Sequence, residues 1–169
     1  CIGKEAGFTA AQSGTRSGGG NVVIGTQGMR NIQEAGDNIA IGLRAADNMR
    51  YGSKNYCIGE YAGDHANNAY NSVFIGRKAG DWCENSSYNI GIGDEANIYS
   101  TGNDNIGIGR RAIYFQTTTG TDNIGIGQLA GQNISSGAYS VAIGKGALGT
   151  AIVTGDYNVA LGFEAGKDL

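Results

Sequence analysis

An Ile-Gly or Leu-Gly pair recurs along the chain, with its glycines at Gly3, Gly25, Gly42, Gly59, Gly76, Gly93, Gly109, Gly127, Gly144 and Gly162. The steps between them are 22, 17, 17, 17, 17, 16, 18, 17 and 18 residues. A period this short leaves few options. One repeat cannot bury a core by itself, so neighbouring repeats must stack and share one. The period also gives meaning to a composition of 31 Gly and no Pro in 169 residues. Scattered glycine would indicate low complexity. Glycine at fixed places indicates a turn that other residues resist.

With each repeat glycine as position 0, position −1 is Ile in every copy but one, which has Leu161. Position −3 is aliphatic apart from Tyr56, and position −2 between them is usually Gly or Ala. Position −4 is Asn or Ser, and position +3 is Ala except at Gly28. Alternation over so few residues reads as a short strand, too brief for a helix. A weaker apolar seam at +7 (Ile32, Met49, Ala66, Cys83, Ile134) reads as a second short strand beyond the turn. The longest step contains residues 12–20, whose composition is that of an inserted loop.

These units predict an all-β fold: a parallel β-solenoid, or β-roll, of about ten coils in one repeat domain spanning residues 1–169. Stacked strands about 4.8 Å apart would make a rod of about 45 Å. The expectation places an isoleucine ladder inside the coil: Ile24, Ile41, Ile58, Ile75, Ile92, Ile108, Ile126 and Ile143. Asn38, Asn55, Asn89, Asn105 and Asn123 should form an amide ladder beside it. So narrow a coil buries few large side chains against the entropy of ordering its backbone. A parallel homo-oligomer, most simply a homotrimer, is therefore expected.

Asn55–Gly63 (NYCIGEYAG) and Asn123–Gly131 (NIGIGQLAG) carry the motif most fully, with Ser72–Gly80 and Asn158–Gly166 as close copies. The motif resembles the YadA-type head repeats of trimeric autotransporter adhesins, and its longer, Ala-Gly-rich form is similar to repeats of bacteriophage tail fibres. The resemblance spans essentially the whole chain. It implies a trimer of left-handed parallel β-rolls acting as a structural and receptor-binding segment of an extracellular fibre. Adhesin heads usually have shorter, more regular repeats, so the period favours the virion tail fibre over the bacterial cell-surface adhesin head. Both termini cut through a repeat, so a segment of a longer fibre is expected.

Other classes fit less well. A net charge of −3 opposes nucleic-acid binding, which needs a basic footprint. No stretch approaches a membrane span. A lone histidine, His65, suggests no catalytic constellation, so the chain does not read as an enzyme. Asp37, Asp104 and Asp122 share position −5, which reads as a solvated turn rather than a carboxylate pair for glycoside hydrolysis. The GNDNIGIG and GTDNIGIG stretches lack the second Asp of nonapeptide calcium repeats. No metal and no cofactor are expected. Cys1 and Cys57 stand in one column three coils apart, too far for a disulfide, so free thiols are expected at Cys1, Cys57 and Cys83. An ice-binding solenoid is an alternative, but its usual threonine ladder is missing.

If +7 points inward, +6 points outward. That column places His65, Trp82, Tyr99 and Phe115 on four consecutive coils. An exposed strip of rings suits either a bacterial surface glycan or outer-membrane receptor, or a neighbouring chain of the trimer.

Overall fold

The computed structural model describes residues 1–7, 19–114 and 119–168. The larger part of the expected loop, Phe115 and Leu169 lie outside the described residues. Twelve very short strands build the fold: β1 Val22–Ile24, β2 Glu34–Gly36, β3 Ile39–Ile41, β4 Tyr51–Ser53, β5 Tyr56–Ile58, β6 Ala69–Tyr70, β7 Val73–Ile75, β8 Ile90–Ile92, β9 Ile106–Ile108, β10 Ile124–Ile126, β11 Val141–Ile143 and β12 Val159–Leu161. Nine of them form one all-parallel sheet in the order β1-β3-β5-β7-β8-β9-β10-β11-β12. The fold is an all-β parallel solenoid whose nine stacked strands enclose about eight turns. The repeat at Gly3 adds an isolated bridge, Ile2 to Ile24. Among the described residues no helix is long and apolar enough to cross a membrane.

The repeat glycine is required twice over. Gly76 has φ +133, a region L-residues rarely enter, and a Cβ there would strike the carbonyl of Gly93 in the next coil. The same contact recurs from Gly25 against Gly42 to Gly144 against Gly162. Coils stack closely here because nothing but hydrogen separates their backbones. Three residues on, the alanine N–H closes the turn onto the glycine carbonyl, as in Ala79 N to Gly76 O at 3.3 Å. That alanine is fully buried.

The asparagine ladder runs as expected, in a more definite form. Each −4 oxygen accepts the backbone N–H of the −4 residue one coil on: Asn55 N to Asn38 Oδ1 2.9 Å, Ser72 N to Asn55 Oδ1 3.0 Å, Asn89 N to Ser72 Oγ 3.1 Å, Asn105 N to Asn89 Oδ1 2.9 Å. Asn123 and Ser140 continue it. Meanwhile the Nδ2 group crosses the coil to a carbonyl of the facing wall, Gly52 for Asn38, Ala69 for Asn55, Gly102 for Asn89, Gly120 for Asn105 and Gly137 for Asn123. One buried amide thus joins coil to coil and wall to wall. Serine at the same place keeps the first bond and loses the second.

The isoleucine ladder is in register but faces the other way. Ile24, Ile41, Ile58, Ile75, Ile92, Ile108, Ile126 and Ile143 pair successively along the sheet. Their side chains lie on its outer surface, with Ile24 40% and Ile92 36% exposed. The buried column is −2: Val23, Ala40, Cys57, Phe74, Ala142 and Ala160, with Gly91, Gly107 and Gly125 between. The interior sets this parity. A Cβ on Gly91, Gly107 or Gly125 would stand 2.7–2.9 Å from the carbonyl of Ala96, Ala112 or Ala130 across the coil. A wall that close has no room for isoleucine.

The +7 seam does point inward, and Met49, Ala66, Cys83 and Ile134 are fully buried. The second sheet, however, begins two residues later and has three named strands, β2-β4-β6, beyond which the isolated bridges Tyr70 to Ser87 and Ile134 to Val153 continue parallel pairing. The three cysteines are free, as expected. Burial pushes the thiols of Cys57 and Cys83 up to about 12. Two apolar clusters, Val23 to Cys83 and Ala130 to Ala160, fill the ends of the rod. Between them the interior includes the fully buried polar residues Asn97 and Ser100.

Candidate functional site

Immediately after each turn, positions +5 and +6 stack from coil to coil. In four successive repeats these pairs are Arg30-Asn31, Asp47-Asn48, Asp64-His65 and Asp81-Trp82. The +5 side chains form a charged row in which the three aspartates are buried and Arg30 is partly exposed, and the +6 side chains form a strip over it that is more open to solvent.

The row begins with a two-toothed grip of Arg30 on Asp47, Nε to Oδ1 3.2 Å and Nη2 to Oδ2 2.9 Å. Arg44 reaches Asp47 Oδ2 at 3.1 Å and Asp64 Oδ2 at 3.2 Å, bridging two coils. Its guanidinium lies 5.0 Å from the Tyr61 ring centroid, over the ring. Burial works against the charge on Arg44, but Asp64 and Asp47 outweigh it and raise its pKa. Asp47 is fully buried and the Asp64 side chain is 2% exposed. Burial raises the Asp64 pKa, with Asp81 and Asp47 adding to the effect and His65 and Arg44 opposing it.

His65 closes the row. Its Nδ1 lies 3.0 Å from Asp81 Oδ1 and 3.7 Å from Asp64 Oδ2. Its Nε2 faces Asn48 Nδ2 at 3.4 Å, and that amide also donates to Asp64 Oδ1 at 3.1 Å. The imidazole lies flat on the Trp82 indole, centroids 4.0 Å apart and planes 8° apart. Asp64, His65 and Asp81 each offer a ligand atom, all within 4.8 Å of one another.

Of the expected ring strip, His65 and Trp82 stack and Trp82 is 45% exposed. Tyr99 makes an edge contact with Tyr114, centroids 6.3 Å apart. Phe115 lies outside the described residues. Asp37, Asp104 and Asp122 are exposed at a corner where the backbone takes φ near +57. Sequence reading missed the aspartate column. Its signal was the spacing of Asp47, Asp64 and Asp81, one repeat apart, with His65 adjoining.

No family model matches the chain, and no curated protein or solved structure matches it.

Proposed function

We propose that the chain is a structural and receptor-binding segment of a trimeric extracellular fibre built from YadA-type head repeats, in a bacteriophage tail fibre that attaches to its host. The observation carrying this reading is the outer face of the nine-stranded sheet. Two in-register aliphatic columns, −3 and −1, run along it, and Val22, Ile24, Ile75, Ile92, Ile126, Ile143, Val159 and Leu161 are each more than a third exposed. A flat apolar strip of roughly 400 Å² is of the size that on a soluble chain often marks an interaction site. The partner that matches a repeating aliphatic ladder rung for rung is another copy in parallel. Mass photometry should give three times the 17.4 kDa chain mass. A folded monomer at micromolar concentration would overturn the assembly.

Receptor binding rests on the His65–Trp82 pair, which lies outside that sheet and stays available when the aliphatic face is covered. A flat indole with hydrogen-bonding neighbours suits the face of a sugar. Trp82→Ala should leave the trimer mass unchanged and weaken attachment to cells bearing the receptor glycan. Unchanged attachment, or a trimer that dissociates, counts against a receptor role at this site.

A further inference from the structure

The charged row is short of cations at one end. Arg30 and Arg44 serve Asp47 and Asp64, and Arg30 also lies 3.7 Å from Glu5. Asp81, with its side chain 10% exposed, has His65 as its ion-pair partner and no arginine or lysine among the described residues. Three buried carboxylates therefore face two guanidinium groups. The imidazole between the last two carboxylates is the one group left to balance them.

We propose that Asp64, His65 and Asp81 form a site for a divalent transition metal of the zinc class, fastening two consecutive coils. The ligand set is one imidazole nitrogen and two carboxylate oxygens, the borderline donors that such ions accept. Ligands about 2.0–2.2 Å from one ion stand roughly 3–3.6 Å from each other in tetrahedral geometry. His65 Nδ1 is 3.0 Å from Asp81 Oδ1 and 3.7 Å from Asp64 Oδ2, and with all three ligand atoms within 4.8 Å of one another the two carboxylates need to draw together by about 1 Å at most. Asp64 Oδ2 still has a lone pair for the metal beside its bond to Arg44. The ring is already oriented, held against Trp82. Metal on Nδ1 takes the place of the proton shared with Asp81, and the ring, to remain a neutral imidazole, takes up a proton from solvent on Nε2 as that one leaves. For its oxygen to meet that proton, the Asn48 carboxamide must turn and give up its bonds with Asn31 and Asp64, an exchange the metal has to outweigh. With three protein ligands, a fourth position remains for water.

The test uses Zn2+ alone on the full chain carrying Cys1→Ser, because the exposed Cys1 thiol would bind zinc by itself. Calorimetry should show one Zn2+ per chain, with a higher melting temperature in zinc than in Mg2+. His65→Gln, whose amide can still donate to Asp81, and Asp81→Asn should each weaken binding at least tenfold. His65 is the chain's one histidine, so its nitrogen NMR signals are unambiguous and need no variant to fold. Zinc should shift Nδ1 as the bound nitrogen. No binding at millimolar Zn2+, binding unchanged in both variants, or zinc on Nε2 would each overturn the proposal.

Discussion

The left-handed backbone positions show where one residue type is selected and where it is not. Every repeat glycine turns through positive φ, but so do positions +2, +4 and −5, often without glycine: Arg44 φ 54, Ala46 φ 53 and Lys54 φ 62 among them. For an ordinary L-residue this conformation costs about 1–2 kcal/mol, less for Asn and Asp. At the exposed −5 corner the chain uses Asp37, Asn71, Asp104 and Asp122, but also Lys54. Lys54→Asn should therefore stabilise the fold by about 0.5 kcal/mol, read as a raised denaturant midpoint. Gly76→Ala should do the opposite and more strongly, by about 3 kcal/mol or more, since it adds a steric collision with the Gly93 carbonyl to the strain. A loss of only about 1–2 kcal/mol for Gly76→Ala would show that φ alone selects glycine. Much of this scale was legible in the sequence. Gly at 0, Ala at +3 and Asn at −4 recur in nearly every coil, so repetition amplifies them. The Asp47-Asp64-Asp81 column spans three coils and is lost when all repeats are averaged together.

At the level of a coil, the interior works by exchange of volume between −2 and +4. Phe74 fills a −2 place that most repeats give to Gly or Ala, and the room comes from neighbouring glycines. A Cβ on Gly80 would enter the Phe74 ring, and one on Gly63 or Gly91 would stand 3.3–3.4 Å from it. Where +4 is large the exchange runs the other way, and Ile113 lies against Gly125. Phe74→Ala should cost about 3 kcal/mol through the cavity it leaves. Gly80→Ala alone should also destabilise, by about 1–3 kcal/mol. Combined, they should cost clearly less than their sum, because each relieves the defect of the other. Strict additivity in a double-mutant cycle would refute the exchange. The same crowding explains why the facing of the strand was misread. Alternation fixes that −1 and −3 share a face and −2 takes the other. Hydrophobicity then favours isoleucine inside, whereas the distance between the walls favours glycine and alanine. The second strand was misplaced for a related reason: +7 packs inward, while the named strands of the second sheet begin two residues later and, among the described residues, continue beyond three coils only as isolated bridges.

For the whole molecule, the outward isoleucines turn a stability question into an assembly question. An inward Ile92 would make Ile92→Asp a core lesion. Facing outward, in the proposed trimer the charge would instead sit between chains, where an unpaired carboxylate is strongly disfavoured. Ile92→Asp should lower the particle mass by light scattering, and Ile108→Asp, one rung away in the same column, should act alike. A trimer that tolerates both would move the interface elsewhere.

The joints common to all the coils are made by backbone groups, a glycine contact and one asparagine or serine. Rung and rung meet in the same way whatever the outer residues are, much as vertebrae share one kind of articulation. Removing or duplicating one complete repeat, from one ladder asparagine to the next, should leave every remaining joint intact, whereas a cut of half that length brings together surfaces that never meet. The length of such a solenoid is thus a whole number of interchangeable parts, and recombination between repeats within its own gene can lengthen or shorten it without redesigning the interior.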